Sequence, residues 1–121
     1  MAITQSATMF HAIRTTYALD AAEPLYKRAP RQDEQGRPLS DFMMIIPQLR
    51  LRPQQLIQSK AEKIRLVLEQ FGDIVVFADL NLKINVLWVI VRQNPRACLD
   101  IPLAIIDVVP EALLVSHPRF F

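Results

Sequence analysis

The chain has 121 residues, 51% of them apolar and 21% charged, with a formal net charge of +2. That apolar share excludes wholesale disorder and is enough for one domain with its own core, whereas so small a net charge does not by itself argue for nucleic acid or a membrane surface, despite a sequence pI near 9.0. Cys98 is the single cysteine, so an internal disulfide and CxxC metal or redox motifs are excluded. No apolar run approaches the roughly 20 residues of a membrane helix, and the start MAITQSATMF has no basic stretch followed by a long apolar one. The expectation is a soluble cytoplasmic protein, with no membrane contact and no cofactor.

Residues 8–19, TMFHAIRTTYAL, place Met9, Ile13, Tyr17 and Leu19 on one face at period two. Phe10, Ile13 and Tyr17 also fit a helical stripe, but Ile13 and two adjacent threonines favour a strand, because β-branched side chains lose more freedom in a helix. Residues 20–40 hold three prolines, Gly36 and a dense run of charge, which predicts an exposed loop. Residues 41–49, DFMMIIPQL, predict an apolar strand that Pro47 ends or confines to a sheet edge. From Pro53 to Gln70 the residues Ile57, Ala61, Ile64, Leu68 and Phe71 recur at steps of three and four, the stripe of an amphipathic helix with Pro53 in its first turn and Gly72 past its end.

Residues 73–92, DIVVFADLNLKINVLWVIVR, carry the strongest pattern. One strand of that length would span over ~60 Å at about 3.3 Å per residue, far beyond the usual range. The segment therefore predicts a hairpin with strands near 74–80 and 85–92, turning near Asn81 to Asn85. Leu99, Leu103 and Ile106 then return at helical spacing up to Val109, with Pro102 expected in the first turn, and Pro110 stops the helix. Residues 112–116 predict a last strand.

The order strand, helix, strand, strand, helix, strand is that of the ferredoxin-like α+β arrangement, an antiparallel sheet with two helices on one face. The expected organisation is an N-terminal extension over residues 1–40 and a ferredoxin-like domain over 41–121. Such a fold leaves one sheet face without helices, yet Val86, Leu87, Trp88, Val89, Ile90 and Val91 are all apolar. Whichever alternate set faces the helices, three large apolar side chains remain on the other side. Leaving them wet would forfeit about 1.5–3 kcal/mol each, so those six residues predict an interface, with a second subunit, the N-terminal segment or a small apolar ligand as cover.

Signals for chemistry are sparse. Cys98 has no identifiable catalytic partner and reads as a structural thiol; His11 and His117 stand at opposite ends of the chain, outside any metal-binding spacing. The acidic residues are scattered, and two glycines do not make a phosphate-cradling loop. Lys27, Arg28, Arg31 and Arg37 could meet phosphates or an acidic partner, although Asp33 and Glu34 interrupt their charge. Residues 1–60 hold eight Lys or Arg against five acids, and the rest six against seven, giving +3 and −1. The fold hosts many functions. The reading these residues support is a small non-enzymatic regulatory, accessory or ligand-sensing domain that forms a homo-oligomer, foremost a dimer, through an apolar sheet face or meets another protein there. A nucleic-acid-associated protein using residues 26–37, and a small enzyme with an apolar pocket at a dimer interface, are the alternatives.

Overall fold

In the computed structural model, which describes residues 14–16 and 31–115, the chain folds as β1 (Arg14–Thr16), β2 (Leu39–Ile45), a short 3-10 turn (Leu49–Leu51), α1 (Gln54–Gln70), β3 (Val75–Asn81), β4 (Val86–Arg92), α2 (Ala97–Val108) and β5 (Leu113–Leu114). The sheet order is β1-β3-β4-β2-β5. From β2 onward every pairing is antiparallel, and this is the ferredoxin-like α+β fold. Outside that plan, β1 adds a parallel edge strand, Arg14 to Thr16 against Asp79 to Asn81. The rest of the expected strand at 8–19 lies outside the described residues, as does Ser116 of the last strand.

Central strand β4 runs its whole length against β2, from Val86 opposite Ile45 to Arg92 opposite Leu39. On its other side Asn81 to Ala78 pair with Val86 to Val89, and a bulge at Val76 shifts the register before Val75 meets Val91. Leu87, Val89 and Val91 thereby share a face with Phe42 and Met44 of β2 and with Ala78 and Leu80 of β3. Ile57, Ile64, Val67 and Leu68 of α1 and Ala97, Cys98, Ile101 and Ile105 of α2 close that face into a single core. Those α1 positions fall on one stripe of a 3.6-residue helix, which is why the apolar spacing of residues 57–68 was sufficient to orient it.

Three boundaries differ from the sequence expectation for physical reasons. Strand β2 starts at Leu39, inside the stretch that reads as loop, because cross-strand pairing with Val91 and Arg92 outweighs the local Pro and Ser signals. The preceding residues also form a small turn, in which the Asp33 carboxylate accepts the N–H groups of Gln35 and Arg37 (both 2.9 Å). Gly36 takes the left-handed φ of 79° that this turn needs. Helix α2 starts two residues early, since the Asn94 side chain accepts the Ala97 N–H (3.2 Å) and the Asn94 carbonyl accepts that of Cys98 (3.3 Å). Pro102 is consequently the sixth helical residue and not part of the first turn; it supplies no N–H for the Cys98 carbonyl one turn earlier. The last strand shrinks to Leu113–Leu114, with the Val115 N–H donating to the Met43 carbonyl (2.9 Å).

The β3–β4 hairpin turns over residues 82–85. Asn81 Oδ1 accepts the Lys83 N–H (2.9 Å), and Asn85 closes the turn with a φ of 58°, a left-handed conformation that asparagine adopts more readily than most side chains. Its carbonyl accepts the Ile46 N–H and its Oδ1 the Arg50 N–H, both at 2.9 Å, so one residue ties the hairpin to the turn after β2. Asn85→Ala is expected to cost about 1–2 kcal/mol in a urea titration, through lost left-handed tolerance and an orphaned Arg50 N–H, and Asn85→Gly visibly less, because glycine restores the backbone term alone. Ser40 presents the opposite case: its side chain lies on the helix-covered face with a buried hydroxyl that has no hydrogen-bond partner. Ser40→Ala is therefore expected to raise the urea midpoint, by about 1 kcal/mol of stability.

Candidate interaction surface

Alternation along each strand sends the second set of side chains to the face that α1 and α2 do not cover. Cross-strand pairing arranges them in rows. Val115, Met43, Trp88 and Asp79 form one; Leu113, Ile45, Val86 and Asn81 form the next; Asp41, Ile90 and Phe77 form a third. The rows are apolar over the β5–β2–β4 side of the sheet. Leu113 is 58% and Val115 50% exposed, Met43 is exposed, and Ile45, Val86 and Trp88 are half-buried.

The polar groups on this face are engaged. The Trp88 Nε1–H donates to Asp41 Oδ2 (2.8 Å), two residues along the neighbouring strand from its direct partner Met43, and this diagonal bond fixes the orientation of the indole. Phe77 meets the same ring edge-to-face, with centroids 6.1 Å apart. Ile90 and Asp79 are buried. The surface is therefore preorganised: its largest aromatic has one orientation, and its half-buried Asp41 carboxylate already holds a donor.

Of the six residues that the sequence marks as an interface, the structure splits the set. Leu87, Val89 and Val91 are sealed beneath the helices and Val86, Trp88 and Ile90 lie on the open face. The sequence reading missed Met43, Ile45, Leu113 and Val115, which complete the patch from neighbouring strands. Strand pairing alone brings them beside Trp88, and residues 113–115 follow a proline and carry no periodicity long enough to assign a face.

At the end of β4 a second, polar feature forms. A cavity of about 440 Å³ is lined by Asp33, Arg37, Pro38, Ile74, Arg92, Gln93 and Asn94. Arg92 grips the Glu34 carboxylate with two hydrogen bonds (2.7 and 3.1 Å) and donates through Nε to the Asp73 carbonyl (3.1 Å). Arg37 is bonded to Asp33 Oδ2 (2.8 Å) and to Gln35 Oε1 (3.0 Å). Two guanidinium groups thus face two carboxylates, and the cluster latches residues 33–37 onto the sheet without leaving a surplus of positive charge. Among the cations singled out from sequence, Arg31 is exposed and apart from this cluster, while Lys27 and Arg28 lie outside the described residues, as do His11 and His117. Cys98 is buried; that burial, and then the Asp41 charge, push its thiol up and away from the reactive thiolate. Among the described residues no group of three or more His, Cys, Asp or Glu could hold a metal ion, and no helix is long and apolar enough to cross a membrane.

No protein-family profile matches the chain, and no curated protein and no solved structure matches it significantly.

The latch has a pH signature. Its hydrogen bonds from Arg92 hold the Glu34 carboxyl below its ordinary value of 4.5. A carboxyl depressed in the folded state contributes stability that is complete above its unfolded pKa and is lost as pH falls through the folded one. Amide protection in residues 33–37, corrected for intrinsic exchange, is expected to hold at neutral pH and to decline once the pH drops below 4.5. Glu34→Gln should show reduced protection already at pH ~7.

Proposed function

We propose that the protein is a self-associating module without catalytic activity of its own, acting as a regulatory or accessory domain through assembly, and that the contact is made by a second copy of the chain on the open sheet face. The observation that carries this reading is the continuous apolar patch of Met43, Ile45, Val86, Trp88, Leu113 and Val115 on a face that no helix among the described residues covers. A second copy suits it for a reason of charge. Asp41, the half-buried carboxylate within the rows, already accepts the Trp88 indole N–H, so two such faces can meet about a two-fold axis without stripping water from a bare ion, the step that most often makes apolar docking unfavourable. Trp88 supplies the kind of fixed aromatic that anchors interfaces. A partner rich in phosphate would find the opposite: apolar rows here, and arginines at the β4 end that already hold carboxylates.

The reading is tested by light scattering on the full chain. Wild type is expected to give at least the mass of a dimer at micromolar concentration. Met43→Lys and Leu113→Glu, both exposed in the single chain, should keep the circular dichroism of the wild type and weaken association at least tenfold, since each would bury a charge at the contact. A monomeric wild type, or variants that associate as wild type does, would remove the proposal.

A further inference from the structure

Helix α2 is apolar on both sides. Ala97, Cys98, Ile101, Pro102 and Ile105 are buried against the sheet, yet Leu99 and Leu103, one turn apart on the opposite side, are 58% and 63% exposed. A helix at the surface of an ordinary domain turns a charged face outward; here the outward ridge is leucine, bounded by Arg96 and Asp107. These two are eleven residues apart, which brings them back to within about 20° on the helix circumference and separates them by about 16 Å along its axis. They therefore stand on one flank of the ridge, at its two ends.

Both charges oppose the helix that carries them. Arg96 sits at the N-terminal end, where the macrodipole is positive, and Asp107 at the C-terminal end, where it is negative; each placement is unfavourable where the opposite charge would be favourable. Among the described residues Arg96 reaches only Asp100, at 3.4 Å, in the weaker orientation of an i,i+4 pair and almost fully in water. No ion pair to Asp107 is present among the described residues. Local helix stability does not account for this arrangement.

We infer that α2 packs antiparallel against α2 of a second copy, with Leu99 and Leu103 at the centre and Arg96 of each chain meeting Asp107 of the other. Three observations converge on that occupant. The midpoint between Leu99 and Leu103 and the midpoint between Arg96 and Asp107 fall within half a residue of one another, near Ile101, so a single two-fold axis serves both pairs. In an antiparallel pair, one flank of a helix meets the same flank of its partner, which is where both charges stand. Opposed helices also bring each N-terminus beside the other's C-terminus, so the unfavourable dipole placement of both charges is reversed by the partner. The contact is small: two helices of this length bury less than about 1,200 Å², so pairing is weak. Because α2 lies on the far side of the sheet from the apolar face proposed above, the two contacts are independent, and together they join dimers into a larger assembly.

Charge exchange tests the pairing. Arg96→Asp and Asp107→Arg are made separately in the full chain and followed by sedimentation equilibrium up to several hundred micromolar, alone and mixed, in wild-type background and with Met43→Lys. Each variant alone juxtaposes like charges twice across the axis and is expected to self-associate about tenfold more weakly than the parent. Mixed in equal amounts they restore both ion pairs and should recover association to within about threefold of the parent, as should the doubly substituted chain. Recovery on mixing cannot arise from repair inside one chain. The proposal is overturned if single variants associate like the parent, if mixing brings no recovery, or if the Met43→Lys background is monomeric throughout. Failure of the sheet-face reading is recognised separately, as a wild-type mass that Met43→Lys leaves unchanged while mixing still restores association. Should either variant lose its helical circular dichroism, Leu103→Gln provides the same readout with no change of charge, and association unaffected by that substitution also overturns the proposal.

Discussion

Strand β4 sets a problem that the rest of the domain has to solve. Paired along its whole length on both sides, it carries large apolar residues on both faces, so its own hydrophobic pattern does not say which face belongs under the helices. A slip of one residue would exchange Leu87, Val89 and Val91 for Val86, Trp88 and Ile90, and either set would fill a core. Polar devices outside the run remove that degeneracy. Asn85, immediately before β4, takes a left-handed turn and is bonded to Ile46 and Arg50. Arg92, its last residue, is bonded to Asp73 and Glu34. Between them the Trp88 indole donates to Asp41, a partner that a shift of register would carry to the other side of the sheet. Burial supplies the energy of the fold, while these three side chains select its register.

The same division explains what was legible in the sequence. Period and punctuation located α1 and the hairpin to within a residue or two, because the 3.6-residue stripe of residues 57–68 and the length limit on a strand are local properties. Boundaries failed where a distant partner decided: Leu39 joins β2 because Arg92 is opposite it, and α2 begins at Ala97 because Asn94 caps it, which moves Pro102 into the helix. As to the surface, the doubly apolar strand announced that an apolar face would remain, but Met43, Ile45, Leu113 and Val115 come to it only through strand pairing. Nothing in a linear pattern separates Leu113 from an ordinary exposed leucine after a proline. Nor does it separate Arg37, bonded to Asp33, from a cation free to meet phosphate.

The edges of the sheet bear on how such a domain can assemble. An open edge invites strand addition, which has no natural end, whereas a contact between faces about a two-fold axis closes on itself. At one edge the outermost strand, β1, runs only over Arg14–Thr16 among the described residues. At the other, β5 is only two residues long and follows Pro110, so it offers little backbone for another strand to extend. Exposed leucine and valine at this edge, Leu113 and Val115, belong to the sheet face and not to the edge itself. The architecture therefore suppresses edge growth and leaves apolar area where closed contacts can use it.

Apolar area also stands outward on the helix layer, and there the chemistry differs in kind. The sheet patch is held rigid by the Trp88–Asp41 hydrogen bond and carries no unpartnered charge among its rows, so its complement is defined by shape and apolarity. The α2 ridge is narrower, and its selectivity rests on two charges that the parent helix disfavours at both of its ends. A charge placed against its own macrodipole is more stable when an oppositely directed helix lies beside it, so the ridge prefers a partner of one orientation. A flat apolar patch contains no comparable device: rotated by a few tens of degrees, it buries nearly the same area. In the proposed assembly, orientation would thus be set by the helix, where the contact is narrow, and affinity by the sheet, where the apolar area is broad.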